Sequence, residues 1–179
     1  AGITDGFIRF DKETLEKVID LINGFQPNIV FACEPYYTMY WHSDHINCGR
    51  LIYYIVKNQN NDKLPKKIAR KINAVYFYTT FVPNFFWPFS DTARAYKALY
   101  EHKSQWALLK YNKFGYPLLN TNYPGTKRKL GNWKYCEKYR KVESDSGHEP
   151  ETLKTKILKR LIYAFRMINP GPGYYRTLK

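Results

Sequence analysis

One short stretch, Tyr40-Trp41-His42-Ser43-Asp44-His45, gathers the groups best able to do chemistry, including two of the four histidines in the chain. Neutral imidazole is the commonest side-chain metal ligand, and a second imidazole nearby can hold or deliver a proton near neutral pH. Asp44, between the two rings, fits either of two roles: capping the helix that follows, or orienting an imidazole. By spacing alone the same residues also fit a plain N-capping turn with both rings solvated. A catalytic zinc takes at least three protein donors, and the rest of the sequence holds no companion cluster of ligands.

The elements around this stretch place it at the end of a strand. Residues 11–23 predict an amphipathic helix, with Asp11 as N-cap and Leu15, Val18, Ile19 and Ile22 on one face. Gly24 stands where a left-handed C-cap is wanted, and Pro27 follows. Ile29-Val30-Phe31-Ala32-Cys33 is a continuous apolar run, the pattern of a strand buried on both faces. A loop from Glu34 carries it into a second helix over 44–58, with Leu51, Ile52, Ile55 and Val56 apolar. Ala74 to Thr79 predicts another strand. Helix, strand, helix, strand predicts an α/β fold, a Rossmann-like parallel sheet layered with helices. In such sheets the carboxyl ends of strands collect ligands.

Beyond this, residues 82–89 read as an aromatic loop, and Ser90 or Asp91 opens a helix reaching Trp106. Residues 107–148, rich in Tyr, Asn, Gly and Lys, read as a largely irregular insertion with one short helix near 134–141. Pro150 suits a first helical turn, and Leu153, Ile157, Leu161 and Ile168 trace one stripe of a helix over 151–168. The organisation expected is thus a core over 1–106, a basic and aromatic insertion over 107–148, and a closing helix and tail of the same domain over 149–179.

Composition narrows the classes. A chain of 179 residues with 44% hydrophobic and 18% aromatic residues is long and apolar enough for a buried core. No run approaches the twenty apolar residues of a membrane span, and the opening residues lack the pattern of a signal peptide. Cys33, Cys48 and Cys136 make no CxxC pair, which with the odd count fits a reducing cytoplasm. The net charge is +14, a field that attracts polyanions or anionic surfaces.

Three motifs in order then resemble the LmbE/PIG-L family of zinc-dependent N-deacetylases. The first runs from ITDGFIRF through the helix and Pro27-Asn28-Ile29-Val30-Phe31 to His42-Ser43-Asp44-His45, with Ser43 where the family usually has proline, and then Gly49. The second is Val75-Tyr76-Phe77-Tyr78 with Pro83-Asn84. The third is Lys97-Ala98-Leu99-Tyr100-Glu101-His102-Lys103-Ser104-Gln105. Together they span residues 2–106. The family's opening strand ends in Ala-His-Pro-Asp-Asp-Glu, and no such motif occurs here. The resemblance thus implies an α/β domain incomplete at its N-terminal side: either a preceding segment supplies two zinc ligands and the general base, which is the reading favoured, or the chain is a degraded relative.

The same resemblance implies a function, metal-dependent hydrolysis of the N-acetyl group of an N-acetylglucosamine-type substrate, with Zn2+ or another divalent metal as cofactor. It makes His45 the metal ligand of this segment. His42 would stabilise the tetrahedral oxyanion as an imidazolium and then protonate the leaving amine. Tyr40 would lend its phenol to the substrate carbonyl, or be an exposed loop tyrosine. His102 would lie near the pocket, or be a hydrogen-bonded core histidine. The aromatic loop would wall a sugar site, or be simply core.

A binding module is the competing class. Residues 126–141 alternate cations with Trp133, Tyr135 and Tyr139, which suits contact with a polyanion such as single-stranded nucleic acid and equally suits a solvated basic insertion. In that alternative the chain is a nucleic-acid or anionic-surface binding module on a catalytically inactive deacetylase-like fold.

Overall fold

The computed structural model describes residues 2–4, 6–38, 42–89, 94, 97–98, 101, 135–145 and 152–168. The chain divides into two compact units, Ala1–Asn84 with Tyr139–Lys179, and Phe85–Lys138.

Helix α1 spans Lys12–Phe25, and Asp11 caps it by accepting the amide of Thr14 at 2.9 Å. That bond is the main reason the Asp11 carboxyl titrates below its ordinary range. The helix outlasts the sequence expectation by two residues. Gly24 lies inside it, and the left-handed residue is Gln26, with φ 48°, directly before Pro27. Proline cannot continue the ladder, so the turn forms at the last residue that can.

Strand β1 (Ile29–Cys33) runs parallel to β2 (Ala74–Tyr78), with Phe31 opposite Tyr76 and Cys33 opposite Tyr78. Between them comes α2, Ser43–Asn58. The core joins Leu15, Ile19 and Ile22 of α1, Leu51, Ile55 and Val56 of α2, and Ala32, Val75 and Phe77 of the strands. The expectation that β1 is buried on both faces is corrected: Ile29 and Phe31 are 49% and 61% exposed. Successive side chains alternate between faces: Val30 and Ala32 face the helical core, while Ile29 and Phe31 lie on the other side, where Cys33 at the strand's end is buried beside His45.

Two further strands occupy segments read as irregular. Strand β3 (Phe85–Phe89) lies in the supposed aromatic loop, and β4 (Tyr135–Glu143) replaces the predicted short helix. Strand β4 runs antiparallel to β2, with Val142 opposite Val75 and Arg140 opposite Phe77. The order β1-β2-β4-β3 gives a mixed sheet of four strands with one parallel pair. The α/β class stands, while the sheet is mixed where an all-parallel one was expected. Pro88 is tolerated because β3 is an edge strand in that order.

Arg94, Lys97 and Ala98 are helical, and most of the helix expected over 90–106 lies outside the described residues. A last helix, α3, spans Leu153–Ile168. It belongs to the first unit, and its Ile162 is buried, while Leu153, Ile157 and Leu161 of the predicted stripe are 75%, 50% and 63% exposed. No described helix is long and apolar enough to cross a membrane.

Candidate functional site

The carboxyl end of β1 meets the first turns of α2 at Gly49. A Cβ there would run into the carbonyl oxygen of Cys33 and lie 3.1 Å from Pro35. Only glycine allows this approach, and the approach brings the start of α2 against the end of the strand. His42 and His45 thus stand together, half-buried, with ring centroids 5.3 Å apart.

His42 is itself the N-cap of α2: its Nδ1 accepts the amide of Asp44 at 3.3 Å. With Nδ1 accepting, the ring proton sits on Nε2, and an imidazolium would have to release the cap. Asp44 does not cap the helix. Its buried carboxylate instead accepts the amides of Gly6, at 2.6 Å, and Ile8, at 3.1 Å. Asn47 adds a bond to the carbonyl of Ile8 at 2.8 Å. The opening segment is therefore pinned to the turn that carries both imidazoles, with Gly6 at φ 81°.

His45 is held from the strand side. Its Nδ1 lies 3.4 Å from the sulfur of Cys33, and that thiol donates to the hydroxyl of Tyr78 at 2.8 Å. In the tautomer that donates Nδ1–H to this sulfur, the lone pair of the ring lies on Nε2. Burial pushes the Cys33 thiol above its ordinary range, the Tyr78 bond opposing, so it remains a thiol near neutral pH. Burial, with Cys33 and Asp44 nearby, raises Cys48 to about 11. Next along β2, Thr79 has φ 59°, a strained conformation for a β-branched residue.

Beneath this end of the sheet lies a charge pair that sequence reading missed. Glu34, fully buried, accepts Nε and Nη2 of Arg140 at 2.7 and 2.9 Å and the amides of Tyr36 and Tyr37 at 3.0 and 3.3 Å. The rings of Tyr37, Tyr53 and Phe77 surround the guanidinium. The available signal was an acid directly after an apolar strand. Arg140 itself read as one more cation of the basic stretch 126–141. In that stretch Arg140 faces inward and Lys141 pairs with Glu143 at 2.5 Å, while residues 126–134 lie outside the described residues.

Of the predicted site residues, His42, Asp44 and His45 are brought together. Tyr40 and His102 lie outside the described residues. Paired imidazoles suit zinc, yet no group of three His, Cys, Asp or Glu that could hold a metal occurs among the described residues. They do not make a catalytic zinc site by themselves. A cleft of about 450 Å³, lined by residues including Phe10, Lys12, Tyr54 and Leu64, is a separate feature. Tyr54 is nine residues beyond His45, roughly 13 Å along the helix, and the cleft holds no imidazole or thiol.

No protein-family model matches this chain, and no curated protein does. Solved structures do. An N,N'-diacetylchitobiose deacetylase from Pyrococcus horikoshii superposes with a TM-score of 0.60 at 22% identity, over 79% of this chain and 55% of that one. The conserved protein TT1542 from Thermus thermophilus gives 0.64 at 20% identity, over 84% and 67%. GalB, the 4-carboxy-2-hydroxymuconate hydratase of Pseudomonas putida KT2440, gives 0.54 at 21%, over 82% and 65%. The chain spans just over half the length of the deacetylase. At these identities the likeness establishes the α/β fold that the chain has in common with all three.

Proposed function

We propose that this chain carries part of the active site of a metal-dependent hydrolase that removes the N-acetyl group from an N-acetylglucosamine-type substrate. The observation that carries the reading is the pair of half-buried imidazoles, 5.3 Å apart, at the carboxyl end of a parallel strand. The fold likeness to a diacetylchitobiose deacetylase supports it.

In this reading His45 offers Nε2 to Zn2+ or another divalent metal, and the remaining donors come from polypeptide outside the described residues. Zinc, when bound, lowers the pKa of a coordinated water toward neutrality. Cys33 fixes the tautomer of His45, as outer partners of metal-binding histidines commonly do. His42 donates Nε2–H to the acetyl oxygen as negative charge develops there. Passing a proton on to the leaving amine requires His42 to be protonated at Nδ1 and so to release its cap on Asp44. Asp44 keeps the opening segment in place beside the reacting groups. Tyr40 and His102 are proposed as substrate contacts on the family resemblance, and the cytoplasm as the compartment on cysteine usage.

The test is acetate release from N,N'-diacetylchitobiose and N-acetylglucosamine by the full-length protein. Release that stops with a chelator and returns with zinc is the expected result. A folded full-length protein that frees no acetate from either compound with any divalent metal overturns the reading.

A further inference from the structure

Helix α3 carries two neighbouring apolar stripes, and among the described residues only one is covered. Ile162 is buried and Leu158 and Phe165 are half-buried, and the Nζ of Lys159 lies 4.7 Å from the ring centroid of Tyr36. At about 100° per residue, Leu153, Ile157 and Leu161 form a stripe roughly 80° wide, set about 40° from the covered face, with Lys154 between the two. These are the residues that stand 75%, 50% and 63% exposed. On the helical wheel Lys154 borders the stripe on one side, and Arg160 and Lys156 border it on the other. All three are exposed. The sixteen residues of the helix hold five cations and no acid.

We propose that this outward face of α3 docks on the surface of an anionic phospholipid bilayer. The helix would lie in the interface with Leu153, Ile157 and Leu161 among the upper acyl chains and its flanking cations among the headgroups. Charge chooses this occupant over a protein. Protein interfaces are depleted of lysine, whereas each Lys or Arg near an anionic leaflet raises partitioning about fivefold. A helix with cations on both borders of an apolar stripe and no acid matches a uniformly negative surface, and a net charge of +14 adds to the attraction. Nucleic acid fits less well, since it offers nothing for the stripe to bury in.

Flotation of the full chain with vesicles tests this, comparing pure phosphatidylcholine with the same lipid carrying roughly one-third phosphatidylserine. Binding to the anionic vesicles, weakened by salt and absent on the neutral ones, is expected. The triple change Lys154→Glu, Lys156→Glu and Arg160→Glu should lower partitioning by about a hundredfold or more. Leu153→Ser with Ile157→Ser and Leu161→Ser should abolish it at every salt concentration. Both variants alter outward positions, and their melting temperatures should match the parent. No binding to anionic vesicles, or binding that the serine variant retains, overturns the proposal. A dimer in sedimentation velocity that the serine variant dissociates, without vesicle binding, assigns the face to a second copy and also overturns it. So does an oligonucleotide complex that the glutamate variant alone destroys while vesicle binding persists.

Discussion

Arg140 closes on Glu34 through two hydrogen bonds of 2.7 and 2.9 Å, with both side chains out of water. The pair ties the loop after β1 to β4, more than a hundred residues later in the chain. Removing one partner strands a buried charge and typically costs about 3–5 kcal/mol. Arg140→Met should therefore lose stability on that scale in denaturant unfolding. Glu34→Gln combined with Arg140→Met should recover part of the loss, because no isolated charge is left behind. Equal stability of Arg140→Met and the parent would show that the pair does not hold the strands.

The close seat of α2 on β1 makes a second prediction. Gly49→Ala places a methyl group where the Cys33 carbonyl oxygen already sits. Overpacking of this kind costs about 1–3 kcal/mol and sometimes more. Because the shift separates the strand end from the histidines, activity should fall further than stability. Urea unfolding and turnover, measured together, check both.

Ser43 makes a third. Its hydroxyl is buried without a hydrogen-bond partner among the described residues, and it occupies the first position of α2. Proline is favoured there, and His42 before it has φ −68° and ψ 119°, a conformation that a following proline permits. Ser43→Pro should stabilise by about 0.5–1 kcal/mol through the unfolded chain alone. A melting temperature raised by a few degrees is the expected readout, and a lowered one would contradict the geometry.

The thiols give a pH prediction. Burial raises Cys48 from 9.0 to about 11 and shifts Cys33 in the same direction. The folded state thus holds protons that the unfolded state has lost between these values. Stability from this source is complete below pH 9 and falls as pH rises toward 11. At pH 8 both thiols should react with a maleimide far more slowly in the folded protein than in denaturant. Rates that match would show the thiols to be exposed.

Much of the first unit was legible because its elements carry strong periodic signals. The apolar faces of α1 and α2 are local patterns and appear as read, and the parallel strands 29–33 and 74–78 form where they were expected, although Ile29 and Phe31 of β1 are exposed. The histidine turn was legible as a compact group of chemical residues. What escaped depends on partners distant in sequence. Arg140 looked like part of a solvated basic run because its acid, Glu34, is 106 residues away. Strand β4 lacks clean alternation because Arg140 takes an inward position. The stripe of α3 was correctly helical, but periodicity alone does not say which of two apolar faces the body covers. Asp44 looked like a cap because capping is the common role of its residue type there. Its real partners, Gly6 and Ile8, lie far upstream.

The central claim is that two neighbouring imidazoles divide the work, His45 binding metal and His42 assisting the chemistry. Its most direct test is metal content measured beside acetate release for His45→Ala and His42→Ala in the full-length protein. His45→Ala should lose the metal and all turnover. His42→Ala should keep the metal and lose about a hundredfold or more in turnover. A His45→Ala protein that retains its metal, or a His42→Ala protein as active as the parent, would contradict the account.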